Sequence, residues 1–186
     1  ADGDTLRLIR EEIETNYKMT LKEALAEIKT LHGDADKRVV YSHDKFVEPM
    51  LKYIVEDFER SRISMNDNSI GGLVVCDSSN QAKKMYEIFQ STYAENKEEL
   101  ESLPMAAESS VSYSAKKSAE QKVKNAAVVL HDVGTKQERK DWVEDFKEGK
   151  LDLLFVFNML LTGFDAPRLK KLYIGRVIFA HNLCKP

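Results

Sequence analysis

The apolar residues in the first third of the chain recur at helical spacing. One helical face contains Leu6, Ile9, Ile13 and Tyr17. A capping-box pattern at residues 20–23 (Thr-Leu-Lys-Glu) then predicts that a further helix begins there, because such side chains can bond the free N–H groups of a first turn. The pattern predicts another helix over about 45–61, which Pro49 either starts or kinks. We therefore predict that residues 1–65 form a helical segment that precedes the rest of the fold.

After the pair Gly71-Gly72, continuous apolar runs replace the helical spacing. Such runs are typical of strands that are buried on both faces. They predict four strands, at about 72–76, 126–131, 152–157 and 171–175. Amphipathic helices are predicted between them, one of them at about 137–148. Because strands that alternate with helices favour a parallel sheet, residues 66–186 are predicted to form an open α/β sheet with helices on both faces.

Composition is typical of a soluble globular protein, with 42% hydrophobic and 32% charged residues among 186. Residues 101–122 lack periodicity and are rich in Ser, Ala, Lys and Glu, so we predict an exposed insertion there. Two cysteines are too few for a disulfide framework, and the sequence shows neither a signal peptide nor a membrane span. We therefore predict a cytoplasmic protein without membrane contact.

The net charge of −3 argues against a free-standing basic nucleic-acid binder. The charge is uneven, however, since residues 151–186 contain five bases and two acids. Within that basic end, Arg168, Lys170 and Lys171 are predicted to lie either along a DNA path or on a solvated face.

Several motifs of catalysis and metal binding are absent from the sequence. It contains no G-x-x-x-x-G-K-[ST] phosphate loop, no G-x-G-x-x-G fingerprint and no G-x-S-x-G elbow. The four histidines are scattered, and no second His or Cys lies at metal-ligand spacing, so no metal site is predicted. Cys76 ends a predicted buried strand and is expected to be a core residue.

The most specific signal lies at residues 147–168. A helix end, a glycine and a buried strand are followed there by a loop with the sequence Thr162-Gly163-Phe164-Asp165-Ala166-Pro167. This arrangement resembles motif V of superfamily 2 helicases and translocases, and is closest to the R subunits of type I restriction enzymes. Residues 72–78 resemble motif IV of the same family, and His181-Asn182-Leu183 resembles the opening of motif VI. The resemblance covers about residues 70–183.

The resemblance implies that the chain forms a second RecA-like domain and that the motif V loop lies between nucleic acid and nucleotide. It implies that Thr162 and Gly163 contact the nucleic-acid backbone, and that Gly163 and Asp165 belong to the nucleotide site. These residue types suit such roles, since a Thr hydroxyl can bond a phosphate and a carboxylate can bind a ribose hydroxyl or an arginine. The alternative is an ordinary tight turn in which Asp165 bonds the backbone.

Asp77, Ser78 and Ser79 are the nucleic-acid candidates of the motif IV segment. They precede a predicted helix, whose N-terminal N–H groups and dipole favour a phosphate. The same residues also suit N-capping of that helix by Ser78 or Ser79. The two roles are compatible.

The resemblance further implies that the chain is a fragment of an ATP-dependent type I site-specific deoxyribonuclease. ATP and Mg²⁺ are the implied cofactors of the full-length subunit. The implied partners are double-stranded DNA, the modification and specificity subunits, and the first RecA-like domain in cis. Because the phosphate loop and the motif VI arginines are missing, we expect the chain alone to bind no cofactor and to hydrolyse no ATP. Two alternatives remain, the second domain of another superfamily 2 DNA or RNA helicase and a non-catalytic α/β binding module.

Overall fold

The computed structural model describes residues 15–32, 37–94, 122–158 and 166–175. The helices are α1 (Thr15–His32), α2 (Lys37–Tyr41), α3 (Asp44–Met65), α4 (Ser79–Thr92) and α5 (Lys136–Glu148). The strands are β1 (Gly71–Val75), β2 (Ala126–Val129), β3 (Leu153–Val156) and β4 (Leu169–Ile174). Among these described helices, none is long and apolar enough to cross a membrane. The predicted insertion at 101–122 lies outside the described residues, apart from its last residue.

The four strands form one sheet in the order β2-β3-β1-β4, and every neighbouring pair is parallel. The bounds of each strand lie within two residues of those predicted from the apolar runs. Since all four strands point the same way, their carboxyl ends meet at one edge of the sheet and their amino ends at the other. The predicted parallel α/β sheet is thereby confirmed.

Helices cover both faces of the sheet, as predicted. On one face, α1, α3 and α4 share a core with the strand residues Val74, Val128 and Phe155. On the other face, Phe146 of α5 packs against strand residues that include Leu154. Within the N-terminal segment, α3 packs on the sheet through Phe58 and α1 packs on α3, while the predicted domain boundary between residues 65 and 66 stays a prediction.

α1 begins before the capping-box pattern, so that prediction was wrong. Thr20 lies inside the helix, where its hydroxyl donates a hydrogen bond to the Asn16 carbonyl oxygen at 3.1 Å. Tyr17, one turn earlier, packs against Tyr53 of α3 with ring centroids 5.0 Å apart. This contact between helices is the physical reason that α1 extends towards its N-terminus, because tertiary packing outweighs a local start signal.

α3 is longer than predicted at both ends. It begins after His43, whose side chain accepts a hydrogen bond from the Lys45 N–H at 3.2 Å, and it ends at Asn66 with a left-handed φ of 49°. Pro49 therefore lies inside the helix and does not start it. The residues predicted to face inward are buried, namely Leu51, Ile54 and Phe58.

The glycine pair at the start of β1 is required by aromatic packing from both faces. A Cβ on Gly71 would lie 2.5 Å from the Phe146 ring, on the α5 face. A Cβ on Gly72 would lie 2.7 Å from the Leu153 side chain and 2.9 Å from the Phe58 ring, on the α3 face. Since these neighbours are fully buried and close-packed, a larger residue would push a helix away from the sheet.

The amino edge of the sheet contains a buried ion pair. Arg62 of α3 is 2% exposed and pairs with Asp152, which directly precedes β3. Arg62 also donates to the Ile70 carbonyl oxygen at 3.2 Å, just before β1. The second Asp152 oxygen accepts the backbone N–H groups of Lys124 at 2.8 Å and Asn125 at 3.1 Å, just before β2. The pair therefore joins α3 to the beginnings of three strands.

Candidate site at the carboxyl edge of the sheet

The segments that resemble motifs IV and V start from neighbouring strands. Val75 of β1 lies opposite Val156 of β3, and the Cys76 N–H donates to the Val156 carbonyl oxygen at 2.8 Å. Asp77–Ser79 directly follow β1, and Asn158 follows β3. Both segments therefore leave the sheet at its carboxyl edge, where ligands of open parallel sheets bind.

The central residues of the motif V loop lie outside the described residues. These are Thr162, Gly163 and Asp165, and the motif VI candidates His181–Leu183 lie outside as well. Their predicted roles stay predictions. The described chain on the near side of the loop ends at Asn158, whose φ of 50° is left-handed. On the far side, Ala166 packs in the core on the α5 face.

Ser78 caps α4. Its backbone is extended, and its hydroxyl accepts a hydrogen bond from the Gln81 N–H at 3.1 Å. The predicted N-capping role is thereby confirmed for Ser78. The hydroxyl keeps a proton that it can donate, so the predicted phosphate contact is compatible with capping and stays a prediction.

Ser79 connects α4 to the loop after β2. Its hydroxyl donates to the Asp132 carboxylate, 3.1 Å from Oδ1, and Lys83 on the next turn of α4 forms an ion pair with the same group. The hydrogen bond from Lys83 is the main cause that lowers the pKa of Asp132, and Ser79 contributes to it. The side chains of Lys83 and Asp132 are 45% and 54% exposed, so this pair is accessible from solvent.

Gln81 is a site residue that the sequence did not indicate. Its side chain is fully buried, although a glutamine in the first turn of an amphipathic helix usually lies at the surface. Oε1 accepts a hydrogen bond from the Asp77 N–H at 2.6 Å, and Nε2 donates to the Gly175 carbonyl oxygen at 2.6 Å. Gly175 directly follows β4, so Gln81 bonds the segments that leave two neighbouring strands.

Two other candidates lie near this edge. Cys76 is 4% exposed, and burial raises the pKa of its thiol, which confirms it as a core residue. His131 follows β2 and is exposed. Within the part of the chain that the structure describes, no group of three or more His, Cys, Asp or Glu residues could hold a metal ion.

Arg168 lies at the amino edge, away from this site, so the predicted solvated face was wrong for it, while the alternative of a DNA path stays a prediction. It is half-buried, and its guanidinium donates to the carbonyl oxygens of Ser69 (2.7 Å), Phe146 and Leu151. The guanidinium carbon also lies 5.0 Å from the centre of the Phe146 ring. Burial lowers the pKa of Arg168. Arg168 directly precedes β4, and its hydrogen bond to the Phe146 carbonyl oxygen therefore connects the start of β4 to α5.

Lys171 is likewise not on a solvated face, and the DNA path predicted as the alternative stays a prediction. Its ammonium group lies 3.2 Å from the Asp57 carboxylate of α3, and the two side chains are 14% and 17% exposed. Asp57 also accepts a hydrogen bond from the Tyr173 hydroxyl at 2.8 Å. Lys171 therefore connects β4 to α3 through this ion pair. Lys170, its exposed neighbour, points to the other face of β4, and the roles predicted for it stay predictions.

Part of the chain matches the model of a protein family, and the chain also resembles a solved helicase structure. Residues 106–185 match the family model described as type I restriction enzyme subunit R domain 3. No curated protein matches the chain. Among solved structures, the Hef helicase domain of Pyrococcus furiosus is 11% identical, with a TM-score of 0.41. That match covers 85% of this chain and 29% of the Hef chain, so this chain spans less than a third of its length, and such a distant likeness supports no functional argument. Residues 106–185 are thus similar to domain 3 of type I restriction enzyme R subunits.

Proposed function

We propose that this chain forms part of the second RecA-like domain in the motor of a type I restriction enzyme R subunit. The parent subunit is an ATP-dependent DNA translocase and endonuclease. The family match supports this class and favours it over another superfamily 2 helicase. The observation that carries the proposal is the parallel pairing of β1 with β3, because the segments resembling motifs IV and V then start side by side.

In this proposal the site binds the phosphate backbone of double-stranded DNA. The contacting residues are Asp77, Ser78, Ser79, Thr162 and Gly163. The N-terminus of α4 supports the proposal because its N–H groups and dipole favour an anion. Lys83 adds a positive charge one turn along the helix. Asp132 pairs with Lys83 when DNA is absent, so a phosphate near Ser79 competes with Asp132 for this lysine.

Gly163 and Asp165 face the nucleotide in the cleft between this domain and the first RecA-like domain in cis. ATP with Mg²⁺ supplies the energy for cycles in which the two domains close and separate. Among the described residues none is assigned to the nucleotide, because the Asp77 N–H already bonds Gln81 and the remaining hydroxyl proton of Ser78 is assigned to the DNA phosphate. This chain therefore holds DNA while the cleft opens and closes, and the modification and specificity subunits complete the complex.

The test measures the R subunit that carries this chain. Thr162→Ala is expected to weaken DNA binding, because it removes a hydroxyl that bonds a phosphate. Asp165→Ala is expected to reduce DNA-dependent ATP hydrolysis and translocation strongly while DNA still binds. Asp141→Ala, an exposed aspartate of α5, is the matched control and should behave as wild type. Normal DNA binding, ATP hydrolysis and translocation in the Thr162 and Asp165 variants would refute the proposal and favour a non-catalytic binding module.

A further inference from the structure

We propose that Gln81 is a positioning residue that holds the DNA-binding segment after β1 against the end of β4. This inference rests on the proposed function and deepens it. β1 and β4 are neighbours in the sheet, with Val75 opposite Ile174. The segment Asp77–Ser79 follows β1, and Gly175 follows β4. A bridge between the two strand ends therefore fixes where the proposed DNA contacts leave the sheet.

The Gln81 amide is held at both of its ends. The Asp77 N–H donates to Oε1, and Nε2 donates to the Gly175 carbonyl oxygen, each at 2.6 Å. Since a backbone N–H can only donate and a carbonyl can only accept, these partners determine which end of the amide faces each strand. The side chain is fully buried, so water does not replace either partner at low cost.

Gly175 is required for this close approach. Its N–H donates to the Val75 carbonyl oxygen at 2.7 Å, which holds the end of β4 against β1. A Cβ on Gly175 would lie 2.9 Å from Gln81 Oε1 and 3.2 Å from the Cys76 Cα. Because the Cys76 contact is with backbone, a side chain at this position would separate the two strand ends and stretch the Gln81 bridge.

α4 itself does not need the Gln81 amide. Ser78 caps its N-terminus, and its apolar face packs on the sheet through Ala82, Met85 and Phe89. Burying an apolar side chain at position 81 would cost less free energy than burying an amide. It would, however, remove the hydrogen-bond partners of the Asp77 N–H and the Gly175 carbonyl. The amide therefore holds the two strand ends together, and with them the proposed DNA contacts at Asp77–Ser79.

The experiment compares Gln81→Met and Gln81→Glu with wild type in the R subunit. Met keeps the side-chain volume but forms neither hydrogen bond. We measure kcat and KM for ATP with and without DNA, and expect Gln81→Met to lower the DNA stimulation of kcat at least about five-fold, the lower end of typical couplings between sites. Gln81→Glu is expected to lose stimulation when ionised and to regain it as the pH falls from about 9 to about 6, because the protonated carboxyl again donates to Gly175. Wild type should show no such recovery.

Two further variants separate positioning from stability. Phe89→Leu is the matched control, since Phe89 is fully buried in the same helix but far from both segments. It should lower the melting temperature while the DNA stimulation per folded molecule stays at the wild-type level. Gly175→Ala should reproduce the effect of Gln81→Met.

Three outcomes would overturn the inference. These are normal DNA stimulation in Gln81→Met and Gly175→Ala, an equal loss of stimulation in Phe89→Leu, and a pH profile of Gln81→Glu that follows wild type. If the Thr162 and Asp165 variants lose activity while the Gln81 variants keep their DNA stimulation, the bridge alone fails. If the Thr162 and Asp165 variants are normal, the proposed function itself fails.

Discussion

The two edges of the sheet use charged residues in opposite ways. At the amino edge, Arg62 and Asp152 are buried and Arg168 is half-buried, and all three bond backbone groups where strands begin. At the carboxyl edge, Lys83 and Asp132 are about half exposed and bond each other. A buried charge is costly when it loses its partner, whereas an exposed ion pair contributes little to stability. The amino edge therefore stabilises the fold, and the carboxyl edge keeps its charges accessible to a ligand.

The largest effect is expected for Asp152→Ala at the amino edge. The variant leaves the buried Arg62 charge without a carboxylate and removes the acceptor of two backbone N–H groups. Breaking such a pair costs about 3–5 kcal/mol of unfolding free energy. Urea denaturation of the chain, followed by circular dichroism, measures this loss. Asp132→Ala is the same substitution at the carboxyl edge and should unfold close to wild type. Equal losses in the two variants would contradict the comparison.

A smaller loss is expected for Gly72→Ala, also at the amino edge. The new methyl group would meet Leu153 and the Phe58 ring at less than 3 Å. Overpacking of this kind costs about 1–3 kcal/mol. Thermal and urea denaturation should both show the loss. An unchanged unfolding free energy would mean that α3 moves away from β1 without penalty, and would weaken the claim that packing at this edge is tight.

Thr135→Ala tests a local element at the carboxyl edge. Thr135 caps α5, where its hydroxyl accepts the Glu138 N–H at 3.1 Å while the Glu138 carboxylate accepts the Thr135 N–H at 2.6 Å. Loss of such a cap costs about 1 kcal/mol. Thr135→Ser keeps the hydroxyl and is the control, which should restore most of the stability. A loss as large as that of Asp152→Ala would contradict the division between the edges.

Asp165→Ala should have little effect on the stability of the chain. If Asp165 faces a nucleotide cleft, its removal should change the unfolding free energy by less than about 1 kcal/mol, as for an ordinary surface residue. If it bonds the backbone of a tight turn, the loss should be roughly 1–3 kcal/mol. Denaturant melts of the chain distinguish the two cases. A large loss, together with normal ATP hydrolysis in the R subunit, would remove Asp165 from the proposed site.

The smallest effect is the pH dependence of the α5 cap. The hydrogen bond from the Thr135 N–H lowers the pKa of Glu138 below its ordinary value. A carboxyl whose pKa is lower in the folded state stabilises the fold above its unfolded pKa, and this contribution is lost as the pH falls through the folded value. Glu138→Gln keeps an acceptor but cannot titrate. Its difference in unfolding free energy from wild type should therefore shrink as the pH falls from about 5 to about 3. A constant difference over that range would contradict the assignment.

Local patterns were enough to predict the strands and the cap of α4. Four apolar runs predicted β1–β4 to within two residues. β1–β3 are buried and need apolar side chains at every position, whereas β4 is an edge strand that begins with Leu169-Lys170-Lys171, so its apolar run starts late. Ser78 was predictable as an N-cap because its hydrogen bond spans only three residues. The continuity of α1 through Thr20 was not, since Tyr17 packs on Tyr53 from another helix and the helix runs past a plausible local start.

The sequence by itself determined the strands and the parallel sheet, because apolar runs are local properties of the chain. Its short motifs, which are local as well, carry the similarity of residues 106–185 to a family of R subunits. Only the tertiary structure decided which polar residues are structural. Arg62 and Asp152 are 90 residues apart, and Gln81 and Gly175 are 94 residues apart. Arg168, which by sequence belonged to a DNA path or a solvated face, packs on Phe146 of α5. A contact between such distant positions leaves no local pattern, because strand order and packing alone bring the partners together.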